Sequence, residues 1–199
     1  MEMIEKLPER KKRAPRSLPT RAVQQRYNDR RSCIELKQLL VNNFGHGGLL
    51  VTLTYDDASL PRNKSAAWFY IRRFLRKLRE VRRQQEEELL FVYTTEGLHA
   101  ACTDGRFGSD SMLEDRRIHH HAVINAGDID ELRDLWECGN LRSERIDAHC
   151  YQELAQYLTK EAREEGRKKP GERAWCCSRN LRREPSDRSP DREKQNDAP

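Results

Sequence analysis

A chain of 199 residues has room for one domain of ordinary size with polar ends, and not for two independent cores. Charged residues make up 36% and the mean hydropathy is −1.00; no stretch approaches the ~20 apolar residues of a membrane helix, and the N-terminus lacks the apolar run of a secretion signal. The net charge of +5 is modest, but Lys and Arg crowd residues 10–31 and 72–83, two stretches suited to phosphate contact, with solvated helix faces as the plainer reading. These features predict a cytoplasmic protein. The six cysteines (Cys33, Cys102, Cys138, Cys150, Cys176, Cys177) form no CxxC pair, which predicts reduced thiols rather than a zinc site.

Residues 1–30 are polar and Arg-rich with three prolines, and predict a basic flexible arm ahead of a domain at 31–182. A short helix is expected at 32–44. Gly45, Gly47 and Gly48 then break the chain before a β-branched strand at 49–55, which Asp56, Asp57 and Pro61 end. In residues 64–85, Trp68, Ile71, Leu75 and Leu78 recur at spacings of three and four, with Phe74 and Val81 widening the stripe. This predicts an amphipathic helix whose outer face carries Arg72, Arg73, Arg76, Lys77 and Arg79.

Residues 89–96 and 116–125 read as strands separated by a polar loop at 97–115, able to pair as a hairpin. Residues 128–136 predict a helix with Gly139 as its stop, and 140–146 a further strand. Asp147 is expected to cap a helix running to residue 164, and 172–178 to supply a last strand before a polar tail at 183–199. The succession fits an α+β, ferredoxin-like or RRM-like two-layer domain in which helices cover one face of a mainly antiparallel sheet.

The most informative segment is Arg117-Ile118-His119-His120-His121-Ala122-Val123-Ile124. Alternation along a strand points His119 and His121 one way and His120 the other. Two imidazoles so spaced can bind one ion, against the plainer alternative of a surface histidine cluster. Glu96, ending the preceding strand, is the best candidate for a third ligand, and His99 in the adjoining loop is the fallback. This donor set suits Mn²⁺, Zn²⁺ or Fe²⁺, and accepts Mg²⁺ where phosphate and water complete the shell.

On the helix after Asp147, Tyr151, Leu154, Ala155 and Leu158 share one face and Tyr157 lies at its rim. Lys160 follows at i+3, within reach of the space around the phenol oxygen. A tyrosine there is more often a packing residue, and it gains chemical meaning only in combination. A free phenol, with a pKa of about 10, attacks phosphate poorly unaided. A bound ion can polarise the phosphate, and Lys160 can steady phosphate or phenolate charge.

Leu50-Val51-Thr52-Leu53-Thr54-Tyr55, then His119-His120-His121, then Tyr157-Leu158-Thr159-Lys160 resemble, in that order, the motifs of the HUH endonuclease superfamily, specifically the rolling-circle replication initiators of bacterial phages and plasmids. Ser178-Arg179-Asn180-Leu181 is similar to the end of the phage-type domain, so the resemblance covers residues 48–182. His120 departs from it, since the family usually has a large apolar residue there.

The resemblance implies that Glu96, His119 and His121 bind a divalent ion, Mg²⁺ or Mn²⁺, and that Tyr157, aided by Lys160, attacks single-stranded DNA at a replicon origin. The implied products are a 5′-phosphotyrosyl link and a free 3′-hydroxyl for the host polymerase, with later strand rejoining that needs no ATP. Tyr151 sits on the leucine face, which leaves one active tyrosine. Arg72, Arg73, Arg76, Lys77 and Arg79 are candidate DNA contacts. The chain has no Walker A loop, so a host helicase is expected as well. A relaxase or transposase of the same superfamily, and a noncatalytic module binding single-stranded nucleic acid, are the alternative readings.

Overall fold

The structure, a computed structural model, describes residues 22–97, 117–125, 127–160 and 173–183. Its elements are α1 (Ala22–Phe44), β1 (Leu49–Thr54), α2 (Lys64–Gln84), β2 (Phe91–Glu96), β3 (His119–Ile124), α3 (Ile129–Leu135), β4 (Leu141–Arg145), α4 (Tyr151–Leu158) and β5 (Cys176–Cys177), with a 3₁₀ turn at Ala148–Cys150 ahead of α4. The strands lie in the order β4-β1-β3-β2-β5, and every pairing is antiparallel. β1 and β2 thus run the same way with β3 inserted between them, and α2 makes the crossover. β3, α3 and β4 repeat the arrangement around β1. Two interlocked split β-α-β units are the ferredoxin-like topology.

Strand alternation sorts the side chains onto two faces. Leu49, Val51, Leu53, Tyr93, Ala122 and Ile124 pack with Ile71, Phe74, Leu75 and Leu78 of α2 and Leu132 of α3. Asn63 starts α2 by accepting from the Ala66 amide at 2.9 Å, and Asp128 caps α3 in the same way through the Asp130 amide. On the opposite face, Val92 and Val123 pack with Leu36, Leu40 and Phe44 of α1 and with Tyr151, Leu154, Ala155 and Leu158 of α4. The two-layer unit of sheet plus α2 and α3 therefore carries a further helical cover on the other face.

α1 begins earlier than expected: residues 22–30, assigned to the arm, are its first turns. Side-chain pairs one turn apart, Gln25 with Asp29 at 2.7 Å and Arg31 with Glu35 at 3.0 Å, support it. Its periodicity is blurred in the sequence because Val23, Tyr27, Ile34 and Val41 are exposed. Asp147 caps the 3₁₀ turn through the His149 amide rather than α4 itself, and β5 is only two residues long. His99, the arm's residues 1–21, the chain from 161 to 172 and the tail from 184 lie outside the described residues. Among the described residues, no helix is long and apolar enough to cross a membrane.

Gly139 fixes the approach to β4. Its φ is +150°, and a Cβ there would lie 2.4 Å from the Thr54 carbonyl oxygen and 2.6 Å from the Asp56 nitrogen. Only glycine lets the chain pass so close to the end of β1.

Candidate metal and nucleophile site

Register brings the donor set together. Glu96 faces His119 across the β2–β3 pair, while Thr52 of β1 and Thr94 of β2 flank His121. All five side chains lie on the face covered by α1 and α4. The Glu96 Oε2 lies 3.7 Å from His119 Nε2 and 3.8 Å from His121 Nε2, and one donor atom from each residue falls within 4.8 Å of the others. Glu96 and His121 are buried, at 2% and 4% exposure.

The Nδ1 atoms are already committed. His119 Nδ1 donates to the Arg117 carbonyl at 2.9 Å, and His121 Nδ1 is 3.1 Å from Thr52 Oγ1. Arg117 is in turn anchored to Asp57 at 2.6 Å and to the Tyr55 carbonyl at 3.1 Å. With protons on Nδ1, both Nε2 lone pairs are turned to the cluster, the orientation metal-bound histidines take from such partners. Glu96 Oε1 is buried with no hydrogen-bond partner, although a buried carboxylate oxygen left unpaired is costly. Two imidazole nitrogens and a carboxylate with one oxygen unpaired fit a divalent cation, and the cluster could bind one.

Electrostatics keep the ligands in binding form. Burial lowers the His121 pKa to about 4, against the opposing pull of Glu96, so the ring is neutral at pH 7. Burial alone would raise Glu96, but His119, His121 and Lys160 together hold it below the ordinary carboxylate range. Lys160 places its Nζ 3.1 Å from Glu96 Oε2.

α4 delivers the phenol. Leu154, Ala155 and Leu158 are buried against the sheet, which leaves Tyr157 at the rim with 40% exposure. Its Oη lies 2.9 Å from His121 Nε2, and Lys160 Nζ sits 3.7 Å from the ring centroid. Tyr151 is 1% exposed, its hydroxyl donating to the Gly45 carbonyl. Glu96, His119, His121, Tyr157 and Lys160, singled out separately in the sequence, thus form one cluster.

Two other sets of residues stand apart. His120 points to the opposite face, fully buried, with Nε2 2.6 Å from Tyr55 Oη and Nδ1 2.9 Å from Thr95 Oγ1. It fills the place of a large apolar residue by packing against Tyr55 and Trp136. The α2 cations lie on that opposite side too, and several have local partners. Arg73 and Lys77 bind Glu137, Arg72 lies over Trp68, and Arg79 over Phe91. The sheet separates them from Tyr157. Thr52, the residue sequence reading passed over, carried a faint signal: alternation along residues 49–55 puts it on the face opposite Val51 and Leu53. Its partner was invisible without the β1–β3 register.

Comparison with protein-family models, with curated proteins and with solved structures gives no match.

Proposed function

We propose that this chain is a metal-assisted, single-tyrosine endonuclease of HUH type, which nicks single-stranded DNA at a bacterial phage or plasmid origin to start rolling-circle replication. It would act in the host cytoplasm with the host's helicase and polymerase. The observation that carries this reading is the 2.9 Å contact of Tyr157 Oη with His121 Nε2, which sets a nucleophilic oxygen at the edge of a carboxylate–bis-imidazole cluster. The buried Tyr55–His120 pair makes the same kind of contact, but Tyr157 is 40% exposed and its partner His121 belongs to the Glu96–His119–His121 cluster.

Glu96, His119 and His121 would hold Mg²⁺ or Mn²⁺, and such an ion supplies Lewis-acid polarisation of the scissile phosphate. The remaining steps belong to the chain. α4, seated by Leu154 and Leu158, fixes the line along which the Tyr157 oxygen meets phosphorus. The Oη–phosphorus bond forms as the bond from phosphorus to the 3′ oxygen breaks. The phenolic proton passes to solvent, and the departing oxygen takes up a proton to become a free 3′-hydroxyl. Lys160, beside both the ring and Glu96, stabilises the negative charge that develops at the phenol and phosphate oxygens. One phosphodiester is exchanged for another, so attack by a 3′-hydroxyl on the phosphotyrosyl link rejoins a strand without ATP. Tyr151, locked on Gly45, is not a second nucleophile.

End-labelled single-stranded origin DNA, incubated with the protein and Mn²⁺ or EDTA, tests this on a denaturing gel. The expected result is a covalent protein–DNA adduct that requires both the metal and Tyr157. Cleavage that persists in Tyr157→Phe would contradict the nucleophile assignment. Binding without cleavage across the candidate origin fragments would favour the noncatalytic module.

A further inference from the structure

We infer that Thr94 is a positioning residue for Glu96: its hydroxyl donates to Oε1 of the carboxylate, directly or through one buried water, and so fixes how Glu96 presents its oxygens to an ion. The inference rests on the metal-binding part of the reading above and deepens it. Among the described residues, Thr94 Oγ1 and Glu96 Oε1 are the buried side-chain oxygens without a hydrogen-bond partner. The two residues are both almost fully buried and lie two apart on β2, which puts them on one face of the sheet with α-carbons about 6.7 Å apart. A hydroxyl or a carboxylate oxygen left unpaired at such depth is costly. Their needs are complementary, since the hydroxyl has a proton to give and an ionised carboxylate only accepts. Rotation of the Thr94 side chain, or one water held by both, closes a gap of that size.

The side chains beside Thr94 on that face narrow the choice of acceptor. Val92, two residues back along β2, is apolar and packs into the core under α1 and α4. His121, directly across the β2–β3 pair, has Nδ1 against Thr52 Oγ1 and Nε2 against Tyr157 Oη. Glu96 Oε2 carries Lys160 at 3.1 Å. Oε1 is what remains. A carboxylate oxygen has room for two donors, so a hydroxyl on Oε1 leaves its second lone pair, and Oε2, for an ion. Thr52 and Thr94 then do matching work from the two strands that flank β3. One sets the His121 ring and the other the Glu96 carboxylate, as outer partners of metal ligands do.

Calorimetric titration of the full chain with Mn²⁺, in the absence of DNA, reads this role apart from cleavage. Thr94→Val, which exchanges the hydroxyl for a methyl group, should weaken Mn²⁺ binding about tenfold, whereas Thr94→Ser, which keeps the hydroxyl, should bind as the unsubstituted chain does. Urea unfolding in EDTA gives a second reading whose sign depends on the role. Removing a hydroxyl that bonds to nothing would raise the unfolding midpoint; removing one that serves Glu96 should lower it, because Oε1 loses its donor. In a Glu96→Ala background that loss should vanish. Unchanged Mn²⁺ affinity in Thr94→Val, equal weakening in Thr94→Ser, or the same effect of Thr94→Val on unfolding with and without Glu96 would each overturn the inference. Full Mn²⁺ binding by Thr94→Val would leave the endonuclease reading standing, while failure of the unsubstituted chain to bind Mn²⁺ would overturn both.

Discussion

Thr52 and Lys160 act on the same cluster in opposite ways. The Thr52 hydroxyl orients the His121 ring, so Thr52→Val should lower metal affinity about tenfold, the usual cost of losing an outer-sphere partner, as read by calorimetric titration with Mn²⁺. Lys160 places a positive charge against a carboxylate that would hold a cation. Lys160→Met should therefore tighten metal binding a few-fold while slowing adduct formation about 100-fold, because the charge it stabilises arises in the transition state. Weaker metal binding in that variant would make Lys160 a structural prop instead. At this scale the sequence was informative wherever a short-range rule applied: alternation paired His119 with His121, and helical spacing put Lys160 near Tyr157. Thr52 needed a strand partner 69 residues away, which no local pattern encodes.

Among the elements, the loop into β4 and the centre of β3 carry separable stability terms. Gly139→Ala forces a Cβ against the Thr54 carbonyl in a backbone conformation alanine resists, and should cost about 3 kcal/mol in urea unfolding. Loss of less than about 1 kcal/mol would mean the loop relaxes freely. His120 governs a pH term. Burial, with a contribution from His119, lowers its pKa to about 3, whereas an unfolded histidine titrates near 6.5. Between those values the unfolded chain binds a proton that the folded chain excludes, so stability is full above neutrality and falls as the pH drops below about 6.5. The slope from this group is about 1.4 kcal/mol per pH unit, and His121, lowered to about 4, acts in the same sense over a narrower window. In EDTA, His120→Phe should flatten the acid limb of the unfolding curve, and an unchanged limb would place the term elsewhere. Most elements were legible because β1 and α2 each bury one clear face, while β3, buried on both, is a short apolar run after its histidines. α1 was not, since its exposed apolar residues mask the buried stripe, and β5 is too short to have a pattern.

Across the whole molecule, the sheet divides two tasks. One face, filled by α2, α3 and the Tyr55–His120–Trp136 aromatic contacts, is packing; the other, under α1 and α4, carries the Glu96–His119–His121 cluster and the Tyr157 phenol. The succession of strands and helices was enough to suggest the ferredoxin-like topology, because short connections and split β-α-β crossovers leave few arrangements open. It was not enough to say which face each basic stretch would occupy, a choice made by helix packing. The central claim is that Tyr157 becomes covalently bound to DNA. Its most direct test is to trap the adduct with origin DNA and Mn²⁺, digest it with nuclease and trypsin, and fragment the peptide of residues 146–160, which contains both Tyr151 and Tyr157. A nucleotide 5′-phosphate on Tyr157 is the predicted result. A nucleotide on Tyr151 would contradict the account, as would an unmodified peptide from a reaction in which the DNA has been cut.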